Sequence, residues 1–376
     1  MKIYIIYIVP QSHRFVKILS CFSGIFFRLS CNTSPFLVIE LTTRKEREES
    51  GACRRNGMIT KMTEYPYMPE GSLIGSEDND YYTSDIRHLE KAMSNGVIIE
   101  GIVTSCAAET LDLSVNVGSF RGVIPRDEAA YCPDGSEVKD IAVITRVGKA
   151  ASFKVTDIVK DIRGEPIIIL SRKAAQEECM KKHIASLRVG DIIPALVTHL
   201  EPFGAFVDIG CGIVSLLTVD AISVSRISHP RDRFRCGEQI MAVVRSIDAD
   251  TGRIYMSCRE LLGTWEENAA RFAPSQTVSG IVRSIESYGI FVELTPNLAG
   301  LAEYREGVEV GDVCAVYIKS IIPERMKIKL VLIDSAKGTY EPKLNYFVDF
   351  SKTRHIERWR YSPEGASKLV ESVFEE

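Results

Sequence analysis

The chain has 376 residues, of which 45% are hydrophobic and 26% are charged. This size and composition favour two or three compact domains over a single one. The 46 basic and 50 acidic residues give a formal net charge of −4, which excludes binding of a polyanion by overall charge. A nucleic-acid site in this protein therefore has to be local.

The ten cysteines are scattered along the sequence, without a CxxC pair and without a histidine at metal-ligand spacing. Such a pattern is typical of reduced, small apolar side chains in a cytosolic protein. We expect no metal site, no cofactor and a cytoplasmic location.

The N-terminal segment, residues 1–57, alternates apolar and basic runs that proline and charged residues interrupt. None of its apolar runs approaches the ~18 residues of a membrane-spanning helix, and no small-residue cleavage site follows them. We expect this segment to be a non-native or disordered extension, with Met58 or Met62 as the initiator and residues 58–94 as a lead-in. The alternative is a weak signal peptide or membrane anchor.

An internal repeat defines the middle of the chain. The run "PFGAFVDIG" from Pro202 to Gly210 returns 85 residues later as "SYGIFVEL" from Ser287 to Leu294, and the strands upstream of both runs also align. From Asn95 onward the sequence consists of short β-rich runs between turn residues, about five in each unit, which predicts small closed barrels. The three predicted barrels span residues 95–173, 187–260 and 275–335.

The joints and the tail are predicted to be partly helical. Residues 174–186 and 261–274 carry apolar side chains at helical spacing, and in the second joint Trp265 lies on the apolar stripe, which favours a packing role. The tail, residues 336–376, is predicted to hold one or two strands and a short helix capped near Ser362. Its run "HIERWRY" has two interpretations, an RNA contact or a segment that packs on the last barrel.

The second and third units resemble the RNA-binding domain that is repeated in the bacterial small-subunit ribosomal protein S1 family. That family carries the motif G-x-V-x-x-I-x-x-[FY]-G-A-F-V-[DE], which stands here as "ALVTHLEPFGAFVD" and "GIVRSIESYGIFVE". The resemblance implies a mainly β protein of tandem five-stranded OB-fold barrels joined by short helices, in a short three-repeat form. The first unit keeps the order of elements but has "LDLSVNVG" in place of the aromatic motif.

By this resemblance, two rings in each motif stack on RNA bases, an interaction worth ~1–3 kcal/mol per base and tolerant of sequence. We expect a glycine kink to bring both rings to one face, although one ring of each pair filling the barrel is the alternative. The family's histidine contact is replaced by Thr218 in the second unit and Glu303 in the third, and its acid and base are kept as Asp248 and Arg253, with Lys327 as the third unit's base. The expected ring contacts are Phe203, Phe206, Tyr288 and Phe291.

A basic loop in the second unit is a further candidate for contacts to the RNA backbone. The alternative is a solvated loop in which Asp232 forms an internal ion pair. The residues in question are Arg226, His229, Arg231, Arg233 and Arg235.

These features predict a protein that binds single-stranded RNA, such as mRNA, mainly through its second unit and works in translation at the small ribosomal subunit. No catalytic residues, membrane contact or small-molecule substrate are expected, because no carboxylate cluster, phosphate-binding loop or nucleophile motif stands out. One alternative is a protein-interaction scaffold on the ribosome or the RNA-decay machinery, for which the ring-free first unit would be the docking module. The other is an accessory part of an exoribonuclease.

Overall fold

The computed structural model describes residues 65–133, 135–248, 251–338 and 344–374, together with the backbone of two three-residue strands nearer the N-terminus. The chain divides into two compact units, residues 1–60 and 61–376. In the first unit, β1 (Phe26–Arg28) pairs antiparallel with β2 (Glu40–Thr42). The rest of the predicted extension, and Met58 and Met62, lie outside the described residues.

Two helices precede the first barrel, and each begins at a residue whose side chain caps it. In α1 (Glu77–Thr83) the cap is Ser76, and in α2 (Ile86–Asn95) it is Asp85; both side chains accept a hydrogen bond from a backbone N–H of the first turn. Helix α2 ends at Gly96, which has a left-handed φ of 64°.

Three closed barrels of five strands each follow, and they share one strand arrangement. The first barrel consists of β3 (Ile99–Cys106), β4 (Leu113–Val117), β5 (Phe120–Ile124), a 3₁₀ turn (Arg126–Glu128), α3 (Asp140–Ile144), β6 (Ala150–Lys160) and β7 (Pro166–Ser171). Helix α4 (Arg172–Lys182) and a 3₁₀ turn (Ile184–Ser186) lead out of it.

The second barrel consists of β8 (Ile192–Glu201), β9 (Gly204–Asp208), β10 (Val214–Thr218), α5 (Val219–Ile222), a 3₁₀ turn (Pro230–Asp232), β11 (Gln239–Ile247) and β12 (Ile254–Ser257). A 3₁₀ turn (Arg259–Leu262) and α6 (Trp265–Ala269) lead to the third barrel. Its elements are β13 (Thr277–Glu286), β14 (Gly289–Thr295), β15 (Leu298–Ala302), β16 (Val313–Ile322), a 3₁₀ turn (Pro323–Arg325) and β17 (Lys327–Ala336).

In every barrel, the strand that begins it pairs with its second and fourth strands, the second pairs with the third, and the third closes the barrel by a parallel pairing with the fifth. The predicted architecture of tandem five-stranded barrels is therefore confirmed. Each barrel encloses a separate apolar core built from alternate strand residues, for example Val103 and Val115 in the first barrel and Val197 and Val207 in the second.

The joint between the second and third barrels is not one helix. Gly263, with a left-handed φ of 81°, separates the 3₁₀ turn from α6, which begins with a capping box between Thr264 and Glu267. Trp265 is buried and packs in the core of the third barrel.

The tail differs from the prediction of a short helix. Within the described residues 344–374 there is no helix, and β18 (Arg358–Arg360) pairs antiparallel with β19 (Glu371–Val373). The predicted cap Ser362 closes the connection between these strands, because its hydroxyl accepts the N–H of Val370 and donates to the carbonyl of Lys368. Gly365, with a left-handed φ of 78°, interrupts any helical run at this point.

The tail connects the second and third barrels. The N–H of Ile192 donates to the carbonyl of Arg354 at 2.8 Å, and the hydroxyl of Tyr361 donates to the carbonyl of Asn297 at 2.5 Å. Trp359 and Tyr361 of the "HIERWRY" run are buried in the third barrel's core. This run therefore packs on the last barrel and does not offer its rings to a ligand.

Candidate nucleic-acid interface

The two phenylalanines of the second barrel lie at its first hairpin. Pro202 and Phe203 form the two-residue turn between β8 and β9, which the pairing of Glu201 with Gly204 closes. Phe203 is 55% exposed, and Phe206 of β9 is half-buried beside it. Their ring centroids are 6.0 Å apart and the ring planes meet at 89°, an edge-to-face arrangement favoured by the aromatic quadrupole.

The third barrel repeats this geometry. Tyr288 stands in the turn between β13 and β14 and is 67% exposed, and its ring centroid is 6.2 Å from that of Phe291 at an angle of 90°. Neither ring pair fills its barrel, so the alternative in which one ring belongs to the core is wrong.

The reason why both rings share one face differs from the expected glycine kink. The first ring of each pair belongs to the turn before the strand, so strand alternation does not separate it from the second ring. The glycines serve a different purpose: a Cβ on Gly204 would lie 2.5 Å from the carbonyl oxygen of Leu217, and one on Gly289 would lie 2.4 Å from that of Ala302. Glycine is required here because the neighbouring strand approaches closely.

Thr218 belongs to the same site. It ends β10 opposite Gly204, and the N–H of the next residue, Val219, donates to the carbonyl of Phe203 at 3.0 Å. The Thr218 hydroxyl accepts a hydrogen bond from Nη1 of Arg245 at 3.2 Å, and the same nitrogen lies 3.1 Å from a carboxylate oxygen of Asp220. Arg245 is a basic group at this site that no sequence motif indicated.

His199 is a second residue that the sequence analysis missed. It pairs with Phe206 across β8 and β9, and the two ring centroids are 6.3 Å apart at an interplanar angle of 27°. A two-residue turn at Pro202 and Phe203 requires this pairing, so the turn itself was a usable signal. Nε2 of His199 lies 2.7 Å from a carboxylate oxygen of Glu201.

Asp248 and Arg253 lie at the turn between β11 and β12. The backbone N–H of Asp248 donates to the carbonyl of Arg253 at 2.8 Å, and its carboxylate accepts the N–H of Thr251. This carboxylate therefore has a turn-stabilising role. The side chain of Arg253 is exposed, as is that of Lys327 at the matching start of β17.

The basic loop is divided between the surface and the interior. Arg226, Arg231 and Arg235 are exposed, and His229 accepts the N–H of Arg231 at 3.1 Å on its Nδ1 atom. Arg233 is buried, and burial of its guanidinium removes it from the predicted set of RNA contacts.

Arg233 instead joins the second barrel to the third. Its Nη2 lies 2.6 Å from a carboxylate oxygen of Glu293, and their side chains are 0% and 2% exposed. Arg283 donates to the same carboxylate at 2.8 Å and lies 3.5 Å from Asp232. Asp232 therefore forms an ion pair, but with Arg283 of the third barrel and not within its own loop as the alternative had it.

The acid that ends the repeated motif has the same place in both barrels. Asp208 and Glu293 each pair with the matching residue of the barrel's first strand. The carboxylate of Asp208 accepts the N–H of Glu70 from the lead-in at 2.7 Å, so both acids contact the segment or barrel that precedes their own. The first barrel has the exposed Asn116 at this position.

The lead-in acid Glu70 connects the first two barrels. Its carboxylate accepts hydrogen bonds from Nε of Arg172 and from Nη1 of Arg146, both at 2.6 Å. Burial by itself raises the pKa of Glu70, but the two guanidinium groups outweigh it and hold the pKa below its usual range. Glu70 is thus ionised at neutral pH and holds its two partners in place.

No group of three or more histidine, cysteine, aspartate or glutamate side chains among the described residues is arranged to hold a metal ion. Within the same part of the chain, no helix is long and apolar enough to cross a membrane.

Residues 186–259, which contain the second barrel, match the family model of the S1 RNA binding domain. The chain is 32% identical over 220 residues to the small ribosomal subunit protein bS1 homolog of Bacillus subtilis (strain 168), which covers 57% of this chain and 54% of that protein. It is 32% identical over 224 residues to small ribosomal subunit protein bS1 of Staphylococcus aureus (strain COL), and this match covers 58% of this chain and 54% of that protein.

The solved structures similar to the chain include a multidomain protein with nucleic acid binding domains from Streptococcus pneumoniae. It is 15% identical, with a TM-score of 0.21, and the match covers 63% of this chain and 73% of that one.

The three closed five-stranded barrels are of the OB type, and the second of them lies in the segment that matches the S1 RNA binding domain. The match to the S1 RNA binding domain is limited to residues 186–259, and the first and third barrels repeat the strand arrangement of the matched one. The chain spans about half the length of the curated relatives it matches.

Proposed function

We propose that this protein binds single-stranded RNA, with the ring pair of the second barrel as the principal contact. The observation that carries the proposal is the exposed Phe203 beside Phe206, inside the segment that matches the S1 RNA binding domain. Exposed rings beside the close-packed Gly204 offer flat faces to successive bases, and base stacking is tolerant of sequence.

The same proposal assigns supporting roles around the rings. Thr218 lies at the ring site, where its hydroxyl contacts Arg245 at 3.2 Å and would have to exchange that partner to bind a nucleotide. The exposed Arg226, Arg231 and Arg253 supply charge for the phosphate backbone. The pair Tyr288 and Phe291 forms a second, weaker site, because Glu303 replaces the hydroxyl at the position of Thr218 and repels phosphate.

The matched relatives are named as small-subunit ribosomal proteins, and on this basis we place the protein in translation, with mRNA as its RNA and the small ribosomal subunit as its partner in the cytoplasm. We propose a binding protein and not an enzyme. Two linked barrels bind the same strand more tightly than either alone, because the second contact forms at a raised effective concentration.

Fluorescence anisotropy with a short unstructured RNA tests the proposal. We expect the Phe203→Ala/Phe206→Ala variant to lose about 10- to 100-fold in affinity, and the Tyr288→Ala/Phe291→Ala variant to lose less. Circular dichroism of both variants verifies folding. If both folded variants bind as the unchanged protein does, the rings do not contact RNA and the proposal is wrong.

A second candidate function, docking to another protein, is favoured by the first barrel. This barrel has no exposed ring pair, and its helix α3 carries Ile141 and Ile144 at 65% and 47% exposure. Exposed aliphatic side chains at helical spacing suit a protein surface better than an RNA strand. Co-sedimentation with purified small ribosomal subunits, compared with an Ile141→Asp/Ile144→Asp variant, tests it: equal co-sedimentation of the two proteins removes this candidate.

A further inference from the structure

We propose that the second and third barrels hold the same RNA strand by different chemistry. In the second barrel, His199 and Tyr255 extend the ring surface to four rings. In the third, a lysine triad (Lys319, Lys327 and Lys329) binds phosphates beside the ring pair. This inference rests on the proposed function. Lys327 was already expected from the family resemblance, and His199, Tyr255, Lys319 and Lys329 are the residues that the inference adds.

The strand register carries the assignment in the second barrel. Side chains of laterally paired residues stand side by side on one face of a sheet, and one such row runs around the outside of the barrel through all five strands. None of its members is buried. The row consists of His199, Phe206, Leu216, Tyr255 and Ser246.

Tyr255 is thus separated from Phe206 by a single strand, β10, whose residue in the row is Leu216. His199 flanks Phe206 on the other side at a ring-centroid distance of 6.3 Å. Adjacent strands lie ~4.8 Å apart, so the row from His199 to Tyr255 spans the width of several stacked bases. Together with Phe203 in the turn, it forms a ring surface and not a single pair.

The third barrel has the same row with different side chains. The matching residues are Ser284, Phe291, Leu301, Lys329 and Ser320. A lysine therefore stands where the second barrel has Tyr255, and a serine stands where it has His199.

Two more lysines surround Lys329. Lys327 precedes it by two residues on the same side of β17, whose residues alternate between exposed and buried. Lys319 lies in the bulge of β16, between Ile318 and Ser320. All three are exposed, and among the described residues no carboxylate lies within 4.0 Å of their ammonium groups. Glu303 directly follows β15, whose Leu301 belongs to this row.

Each set of side chains has its own physical signature. Stacking depends weakly on salt, whereas each phosphate that a lysine neutralises on single-stranded nucleic acid adds ~0.7 to the slope of log K against log salt. The matching row of the first barrel has neither rings nor basic groups, in contrast to the other two barrels. It consists of Ser105, Ser114, Val123, Ile169 and Asp157.

The test uses full-length protein and a fluorescein-labelled oligouridine, with anisotropy measured over a tenfold range of KCl. The Phe203→Ala/Phe206→Ala background reports on the third barrel. In this background, alanine at all three lysines of the triad is expected to lower the slope of log K against log salt by about 2, because three phosphate contacts of ~0.7 each are lost. Alanine at Lys139, Lys160 and Lys181, exposed lysines away from this row, removes the same charge and is expected to change the slope far less.

The Tyr288→Ala/Phe291→Ala background reports on the second barrel. Here Tyr255→Leu is expected to weaken binding about tenfold with the slope unchanged, while Tyr255→Phe keeps the ring and the affinity. His199→Ala is expected to weaken binding in the same salt-independent way.

The outcomes separate the two proposals. If the unchanged protein binds no RNA, or binds it independently of both ring pairs, the proposed function fails. The division of chemistry between the barrels is wrong in two cases in which binding still depends on the ring pairs. In the first, alanine at the lysine triad lowers the salt slope no more than alanine at the three control lysines. In the second, Tyr255→Leu binds RNA as tightly as Tyr255→Phe.

Discussion

Replacement of Arg233 by glutamine is expected to destabilise the protein without removing an RNA contact. The guanidinium is fully buried between two barrels, where it contacts Glu293 at 2.6 Å and the hydroxyl of Ser223 at 3.2 Å. Removing one member of a buried ion pair leaves an uncompensated charge and costs about 3–5 kcal/mol. Because Arg283 still neutralises Glu293 at 2.8 Å, we expect about 3 kcal/mol, the lower end of that range.

Tryptophan fluorescence in urea measures this effect at the right place. The protein has two tryptophans, Trp265 and Trp359, and both are buried in the third barrel's core, next to the joint that Arg233 supports. Arg231→Gln is the matched control, since Arg231 is exposed in the same loop and should change stability by less than about 0.5 kcal/mol.

The two substitutions should differ in their effect on RNA binding. Arg231→Gln is expected to reduce the salt dependence of binding, and Arg233→Gln is expected to leave it unchanged. The reasoning is refuted if Arg233→Gln unfolds at the same urea concentration as Arg231→Gln, or if it alone lowers the salt slope.

Three further predictions concern stability. Burial raises the pKa of Glu100 to about 7 in the folded protein. The protonated carboxyl therefore stabilises the fold fully below the unfolded pKa near 4.5, and this stabilisation is lost as the pH rises to 7. Over that interval the free energy of unfolding of Glu100→Gln should rise on the order of 2 to 3 kcal/mol relative to that of the unchanged protein. Urea midpoints of both proteins from pH 5 to 8 measure the difference, and parallel pH profiles would contradict it. Gly204→Ala places a Cβ 2.5 Å from the carbonyl oxygen of Leu217, so the variant should lose about 2 kcal/mol or more of stability. It should also bind RNA more weakly, because the turn that holds Phe203 is displaced. A stable variant with full RNA affinity would argue against the close approach. Tyr361→Phe removes the 2.5 Å hydrogen bond to the carbonyl of Asn297 and should lower the free energy of unfolding by about 1–2 kcal/mol. The same tryptophan fluorescence assay in urea measures it, and an unchanged urea midpoint would show that the tail's polar contact is dispensable.

The sequence predicted the features that depend on local spacing. Alternation within each unit and the 85-residue offset between Phe203 and Tyr288 were enough to indicate closed barrels, and the family resemblance indicated the two rings of each motif. Trp265 was assigned to packing from helical spacing, and it is buried. These features follow from neighbours in the chain, where periodicity carries the information.

The features that the sequence did not predict depend on contacts between distant residues. Arg233 looked like its exposed neighbours because the Glu293 that buries it lies 60 residues further on. Tyr255 enters the ring surface only through the parallel pairing of β10 with β12, which no local pattern encodes. The tail helix was expected from capping near Ser362, but the tertiary pairing of β18 with β19 decides this segment.

The tail contacts at Ile192 and Asn297 have a consequence for how affinity depends on RNA length. If the second and third barrels were joined by a flexible linker, binding would strengthen gradually as the oligonucleotide grew. Because the tail fixes one barrel against the other through backbone hydrogen bonds on both, an RNA shorter than the distance between the two ring pairs reaches only one of them. One nucleotide length should therefore mark a sharp rise in affinity.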